Sequence, residues 1–425
     1  MAAAGRRDIT DSGNSVKKSS RGFLAFISSF DWLQIIALVF LLSTGLVFIY
    51  STGVQVGTSA AELFFKKQLT QWIPFGVLLW GFVSLLDYRK FYFRAGGVIF
   101  FLLTTAALIL VLKYGVTVYG AKRWLMVGAF RLQPSEFGKL SLILVLGWLF
   151  STSRFNGAKW TGILAGAAVV MLPAFLIFKE PDLGGTLILF PIMGAMLLVS
   201  GLKWRWLLLV TVTACALFFS LRAIVLADDP VPAGQGKSVA AKVSKEDEKK
   251  RSRTLLKPYQ KKRLRVFFKP NEDISNSGHN VYQSRLAVGA GGVWGKGIGN
   301  GTQNAWGYLP QTVSNNDFIF SVIAEETGFM GCLLLLAGYV LLFFSIFRTA
   351  FNAPPFGRML AVGLGSMLFC HTYINIGMCI GLAPVTGLPL PFVSYGGSFI
   401  FVGMISMGIL QSIYRCSAME KKQTL

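Results

Sequence analysis

HNVYQSRLAVGAGGVWGKGIGNGTQNAWGYLPQTVSNNDFIFSVIAEETGF, residues 279–329, decides how the chain is read. It opens as a polar, glycine-rich loop and closes as a hydrophobic helix. Asp317 stands where the two meet, so an acid is placed at a water–lipid boundary. Working outward, the rest of the chain must hold that boundary in a membrane. The 425 residues are 53% hydrophobic and only 14% charged, with 36 Phe, and the mean hydropathy is +0.58. A soluble protein carries about a quarter charged residues. The composition is that of an all-α polytopic membrane protein.

Apolar runs at 32–50, 70–86, 94–113, 136–151, 160–178, 183–200, 204–226, 317–347, 357–382 and 397–414 predict about ten transmembrane helices. The first run has no small-residue cleavage pattern and is read as a retained helix. Basic residues recur on one side: the tail 1–30, then Arg89, Lys90, Arg94, Arg154, Lys159, Lys203, Arg205, Arg348, Arg358, Arg415, Lys421 and Lys422. That side is the cytoplasm, and both termini are predicted there. The loops 51–69, 114–135, 179–182, 227–316 and 383–396 then face outward. The predicted organisation is a disordered tail 1–30, helices one to seven over 31–226, an extracytoplasmic loop 227–316, helices eight to ten over 317–415, and a tail 416–425. Within the long loop, 228–253 reads as a disordered insertion. Residues 255–269 interleave basic and apolar side chains and suit the membrane interface, either as an anchor or with Lys262, Arg263 or Arg265 meeting a lipid diphosphate. No internal repeat of the kind found in inverted-repeat transporters is visible.

The net charge of +22 points to anionic headgroups or an anionic substrate. No nucleic-acid signature accompanies it. The five Cys, at 215, 332, 370, 379 and 416, lie in or beside apolar runs and imply no disulfide framework. His279 and His371 have no Cys or acid at zinc-site spacing, which argues against a zinc enzyme.

Two readings stand at Asp317. It caps the eighth helix, with Ser314 in a capping arrangement, or it is a general base whose pKa is raised by partial burial. Glu325 and Glu326 fall roughly 12–14 Å further along the same helix. They must be paired, protonated or turned to a cavity. Glu136 and Lys139 lie three apart in RLQPSEFGKL and can pair on one face. Lys122 and Arg123 in GAKRWL, with Lys179, Glu180 and Asp182 in KEPDLGG, put further charges on the outer side. The glycines from 289 to 301 fit no nucleotide fingerprint. PVTGLPLPFVSYGGS, 384–398, is irregular backbone between two spans and is expected to shape a pocket beside Asp317.

Taken together, GAKRWL with QPSEFGK, KEPDLGG, YQSRLAVGAGGVWGKGIGNGTQ, NNDFIFSVIAEETG and PVTGLPLPFVSYGGS resemble the SEDS family (shape, elongation, division and sporulation) of peptidoglycan glycosyltransferases. The resemblance spans the whole membrane portion, and GKGIGNGTQ and PVTGLPLPF lean toward the elongation type over the division type. It implies a multi-pass enzyme of the bacterial cytoplasmic membrane that polymerises lipid II on the outer face, with Asp317 catalytic. It also implies that Lys122, Arg123, Lys139, Asp182, Arg263 and Gln283 meet substrate, and that Glu136, Lys139 and Glu325 give structural support. No cofactor is certain; a divalent cation, magnesium or manganese, is possible in the family. The implied partners are lipid II, the nascent glycan, a class B penicillin-binding protein and other elongation-complex membrane proteins. Gln311 departs from the family's usual Glu, and the 228–253 insertion is longer than usual. A lipid II flippase and a non-catalytic scaffold are the alternatives.

Overall fold

In a computed structural model, the structure describes residues 28–206 except 57–58, 93–94, 119–120, 129, 153–154, 156 and 158, then 258–269 and 278–423, with isolated positions between 208 and 223. Nine of the ten expected apolar runs coincide with helices. The tenth, 204–226, lies largely outside the described residues, as do the insertion 228–253 and most of the tail 1–30.

In chain order the helices are α1 (Trp32–Val56), α2 (Ser59–Lys67), α3 (Ile73–Leu85), α4 (Tyr88–Tyr92), α5 (Ala95–Tyr114), α6 (Pro134–Ser151), α7 (Trp160–Lys179), α8 (Leu183–Val199), α9 (Pro258–Phe268), α10 (His279–Ala290), α11 (Thr302–Ala305), α12 (Gln311–Ser314), α13 (Ile319–Asn352), α14 (Pro355–Ile380) and α15 (Gly397–Gln423). Six of them, α1, α5, α7, α13, α14 and α15, are long and apolar enough to cross a bilayer, and α8 is a shorter apolar helix. At 25 residues α1 is about 37 Å long, enough to span the hydrocarbon core. Helix α6 is buried on nearly every face, from Leu140 to Leu146. A helix apolar all round belongs at the centre of a bundle, and α6 packs there against α5, α7, α8 and α14.

Two ends of the bundle are held by different chemistry. At one, Asp31 pairs with Arg348 at 2.5 Å, Arg89 with Glu420 at 2.5 Å, and Arg415 donates to the Leu85 carbonyl. These tie the start of α1 to α13, and α4 and the end of α3 to α15, on the cytoplasmic side by the charge pattern. At the other, Asn304 donates to the Thr52 carbonyl near the end of α1.

Two outer loops are more ordered than the sequence suggested. Residues 51–69 contain α2, which runs through a π-helical turn, Gln68–Trp72, straight into α3. SAAELFFKK is amphipathic at helical spacing, a signal hidden by the two lysines at its end. Residues 114–135 hold an antiparallel meander, β1 (Val116–Val118), β2 (Ala121–Val127) and β3 (Phe130–Leu132). Val127 faces Phe130 across a turn where Gly128 has φ +62°, a conformation that costs glycine little.

The largest departure is at α13. Gly328 has φ 66° and ψ −163°, so the helix breaks there. The glycine-rich loop fills the break. Phe329 N–H donates to the Gly292 carbonyl and Met330 N–H to Val293, while Lys296 and Gly297 N–H donate to the carbonyls of Glu325 and Glu326. Helical bonds lost at the kink are thereby replaced. A side chain at Gly328 would meet the Val293 carbonyl at 2.6 Å. The break divides α13 into a short head, 319–327, and a longer helix after Gly328.

Candidate active site

The backbone of Asn315, Asn316 and Asp317 is held carbonyl by carbonyl. Tyr395 N–H donates to Asn315 at 3.0 Å, the Ser394 hydroxyl to Asn316 at 2.6 Å, and the Asn375 amide to Asp317 at 2.9 Å. Thr52 bonds the Asn315 side chain. The segment 381–396 therefore turns back toward the bundle to reach the junction. Its Pro391 carbonyl accepts from the Tyr339 hydroxyl, eleven residues beyond the kink in α13. Such irregular backbone is tolerated in a membrane only when buried against protein or lining a cavity, and here it does both.

Asp317 does not cap the helix. Phe318 occupies the N-cap position without a side-chain cap, and the Ser314 hydroxyl bonds Asn304 and the Gln311 carbonyl instead. Among the described residues the Asp317 carboxylate accepts no hydrogen bond. Half-buried, it opens on a cavity of about 470 Å³. Burial pushes its pKa up to about 6; the Arg263 and then Arg123 charges oppose the rise, and Asp182 adds to it. The wall of that cavity is aromatic, with Phe64, Trp72, Trp124, Tyr395 and Phe399, and two cations, Lys67 and Arg131, share it with Asp317. Trp124 and Met126, two apart on β2, present one face to the cavity. Arg131, opposite Met126 in register, joins them there.

The other expected site residues fall in five places. Arg263 on α9 donates to the Val385 carbonyl at 3.4 Å. It approaches Asp317 across Gly387, where a Cβ would lie 3.3 Å from the carboxylate and 3.5 Å from the guanidinium. Arg123 and Asp182 pair at 3.6 Å behind the cavity wall. Arg123 also clasps the carbonyls of Glu180 and Pro181, while Asp182 caps α8 through Gly185 N–H. This pair reaches Asp317 by its field and does not line the cavity. Lys122 turns away and donates to the Leu112 and Lys113 carbonyls at the end of α5; the structure places it as a helix cap. Gln283 on α10 is half-buried outside the cavity wall. Glu136 and Lys139 pair at 2.8 Å, with Lys139 wholly buried.

Glu325 and Glu326 are both paired, one of the outcomes the sequence allowed for buried acids. Glu325 accepts from Lys296 Nζ at 2.6 Å and from Thr302. Glu326 accepts from the Ser51 hydroxyl and from Gly299 N–H. Ser51 lies near the outer end of α1, so both glutamates anchor the glycine-rich loop. The sequence reading passed over Lys67 and Arg131. FFKKQ, with two lysines closing an amphipathic helix beside aromatics, was the available signal for the first. Arg131 stands next to the motif that drew attention to Glu136, and only the β-register shows which way it faces.

Among the described residues, no three His, Cys, Asp or Glu side chains converge as metal ligands. Asp182, the acid nearest Asp317 in effect, is already engaged by Arg123 and by a helix end.

Comparison with known proteins agrees with this architecture. The family described as cell cycle protein, FTSW_RODA_SPOVE, matches residues 31–419. The peptidoglycan glycosyltransferase RodA of Treponema pallidum is 31% identical over 438 residues, covering 91% of this chain and 98% of its own. The peptidoglycan glycosyltransferase MrdB of Escherichia coli K12 is 36% identical over 318 residues, covering 74% and 76%. A solved chain from a peptidoglycan synthase complex that coordinates polymerization and crosslinking superposes with a TM-score of 0.69 at 26% identity, over 91% of this chain and 98% of that one.

Proposed function

The chain belongs to the FtsW/RodA/SpoVE family of cell cycle proteins, and from that premise we propose that Asp317 is the general base with which it builds glycan strands. The protein is a multi-pass cytoplasmic-membrane enzyme, a peptidoglycan glycosyltransferase. In the proposed reaction, Asp317 takes the proton of the acceptor GlcNAc 4-hydroxyl. That oxygen bonds to the anomeric carbon of the donor MurNAc, and the bond from that carbon to the diphosphate oxygen breaks. Undecaprenyl diphosphate leaves with the electron pair. Lys67 and Arg131, on the same cavity wall, are placed to meet the charge that develops on the leaving group. The aromatic lining suits sugar faces and the first isoprene units. The crosslinking partner is proposed to be a class B penicillin-binding protein, as the coupling of polymerization and crosslinking in the solved relative suggests.

One observation carries the reading: a carboxylate that accepts no hydrogen bond among the described residues, held by its backbone on both sides and open to a cationic, aromatic cavity. A positioned base contributes about 10² to 10⁴ in rate. Purified Asp317→Asn given lipid II is expected to lose that much polymer on a gel while still binding the lipid. Polymer at the wild-type rate from the variant would remove Asp317 from the reaction.

A further inference from the structure

His371, Asn375 and Cys379 form a stripe up one face of α14 at helical spacing. Two of the three reach the Asp317 carbonyl. Asn375 holds the carbonyls of Asp317 and Leu388, and the Cys379 thiol lies 3.8 Å from the Asp317 carbonyl. One turn nearer the cytoplasm, His371 Nε2 lies 2.8 Å from Lys139 Nζ, which in turn lies 2.8 Å from Glu136. All three groups are sealed from solvent: His371 and Lys139 are 0% exposed and Glu136 is 4%. The imidazole also packs on Phe399, ring centroids 4.9 Å apart, and its other polar neighbour is the Pro389 backbone. Phe399 and Pro389 both line the Asp317 cavity.

A lysine ammonium has donors only. His371 must therefore offer Lys139 the lone pair of Nε2 and carry its proton on Nδ1, an atom with no hydrogen bond of normal geometry among the described residues. We infer that His371 is a positioning residue for the glycosyl transfer: as the second acceptor for Lys139, it ties the buried pair on α6 to the cavity floor and to the α14 stripe that holds Asp317. The inference rests on the reaction proposed at Asp317. The physical reason is that a buried ammonium with one carboxylate partner is under-satisfied. Without the imidazole, Lys139 must reorient, and α6, α14 and the 389–399 wall move with it.

The test compares three variants of the full-length protein, purified in detergent and given lipid II. His371→Gln keeps an acceptor within reach of Lys139. His371→Leu keeps bulk without an acceptor. His371→Asn is polar but one methylene short. Leu and Asn are expected to lower kcat at least about tenfold, since a misplacement of about 1 Å at a reacting centre costs up to about 10² in rate. KM for lipid II should stay within about twofold of wild type, because the cavity cations are untouched. Gln should recover kcat to within about threefold of wild type, and its thermal midpoint should lie above those of Leu and Asn, where Lys139 loses its second acceptor. Folded Leu and Asn variants with wild-type kcat would overturn the inference. So would a change in KM alone, an equal loss in all three, or a failure of both Leu and Asn to fold, which would make the role structural. If the wild type forms no polymer, the proposed chemistry fails first, and the two failures are distinct.

Discussion

Removing the Arg263 charge should move the acid limb of the pH–rate profile upward. Asp317 works as a base only when ionised, so activity is lost as pH falls through its pKa, which burial raises to about 6. Arg263 is the strongest influence opposing that rise. Its guanidinium and the Asp317 carboxylate are no more than about 7 Å apart, since both lie within 3.5 Å of one point over Gly387. At that separation a unit charge is worth about 0.4 pH units in water-like surroundings and about 1.7 at an effective dielectric of about 20. The cavity is open and Asp317 half-buried, which favours the middle of the range. For a shift of about one unit, Arg263→Gln at pH 6 should run about elevenfold below its own plateau, against about twofold for wild type. The assay is initial-rate polymerisation of lipid II from pH 5 to 8 at fixed ionic strength, each protein scaled to its plateau. Scaling separates the electrostatic shift from any loss of binding. A limb that stays put, or moves toward acid, would refute Asp317 as the titrating base or Arg263 as its neighbour.

Glu180→Gln should leave polymerisation within about twofold of wild type, because burial already pushes the Glu180 pKa to about 9 and keeps the carboxyl neutral at pH 7. The same substitution should flatten the fall in thermal stability with pH. The folded-state pKa lies above the ordinary carboxylate value, so the stability it confers is present at acid pH and is lost as pH rises toward about 9; melting curves at pH 5, 7 and 9 check it. Gly328→Ala should cost about 1–3 kcal/mol of stability, because φ 66° with ψ −163° is glycine territory and the new methyl would press on the Val293 carbonyl. Unfolding followed in detergent reads this directly, and a wild-type midpoint would mean that the kink is not needed.

Much of this was legible in the sequence for one reason. Lipid forces every spanning segment to satisfy its own backbone, so apolar runs and basic loops read out as helices and orientation. The rule works where lipid is the solvent and weakens where protein replaces it. Gly328 shows the limit. Nothing in FSVIAEETGFMG distinguishes a kinked helix from a continuous one, and the partner that makes the kink tolerable lies about thirty residues upstream. Lys122 shows a second limit. Sequence gives its side of the membrane, yet the direction of its side chain depends on where α5 ends. At Asp317 the residue pattern left two readings open, an N-cap and a base, and the position of Phe318 removes the first, which the sequence did not show.

The anchoring of the outer acids also bears on transport. A flippase must present polar surface to its headgroup from both sides of the membrane in turn. The two glutamates that suggested such a path are consumed by Lys296, Thr302, Ser51 and Gly299 and hold a loop in place. Toward the cytoplasm the interior closes over Met407, Ile409, Leu410 and Ile413 of α15, all at or near 0% exposed, above the Asp31–Arg348 and Arg415–Leu85 ties. Glu136, Lys139 and His371, all buried, bond to one another across α6 and α14 and lead up to the Asp317 junction. A cavity that opens at the Asp317 junction, above a layer of buried apolar side chains, suits a site that works from a single face.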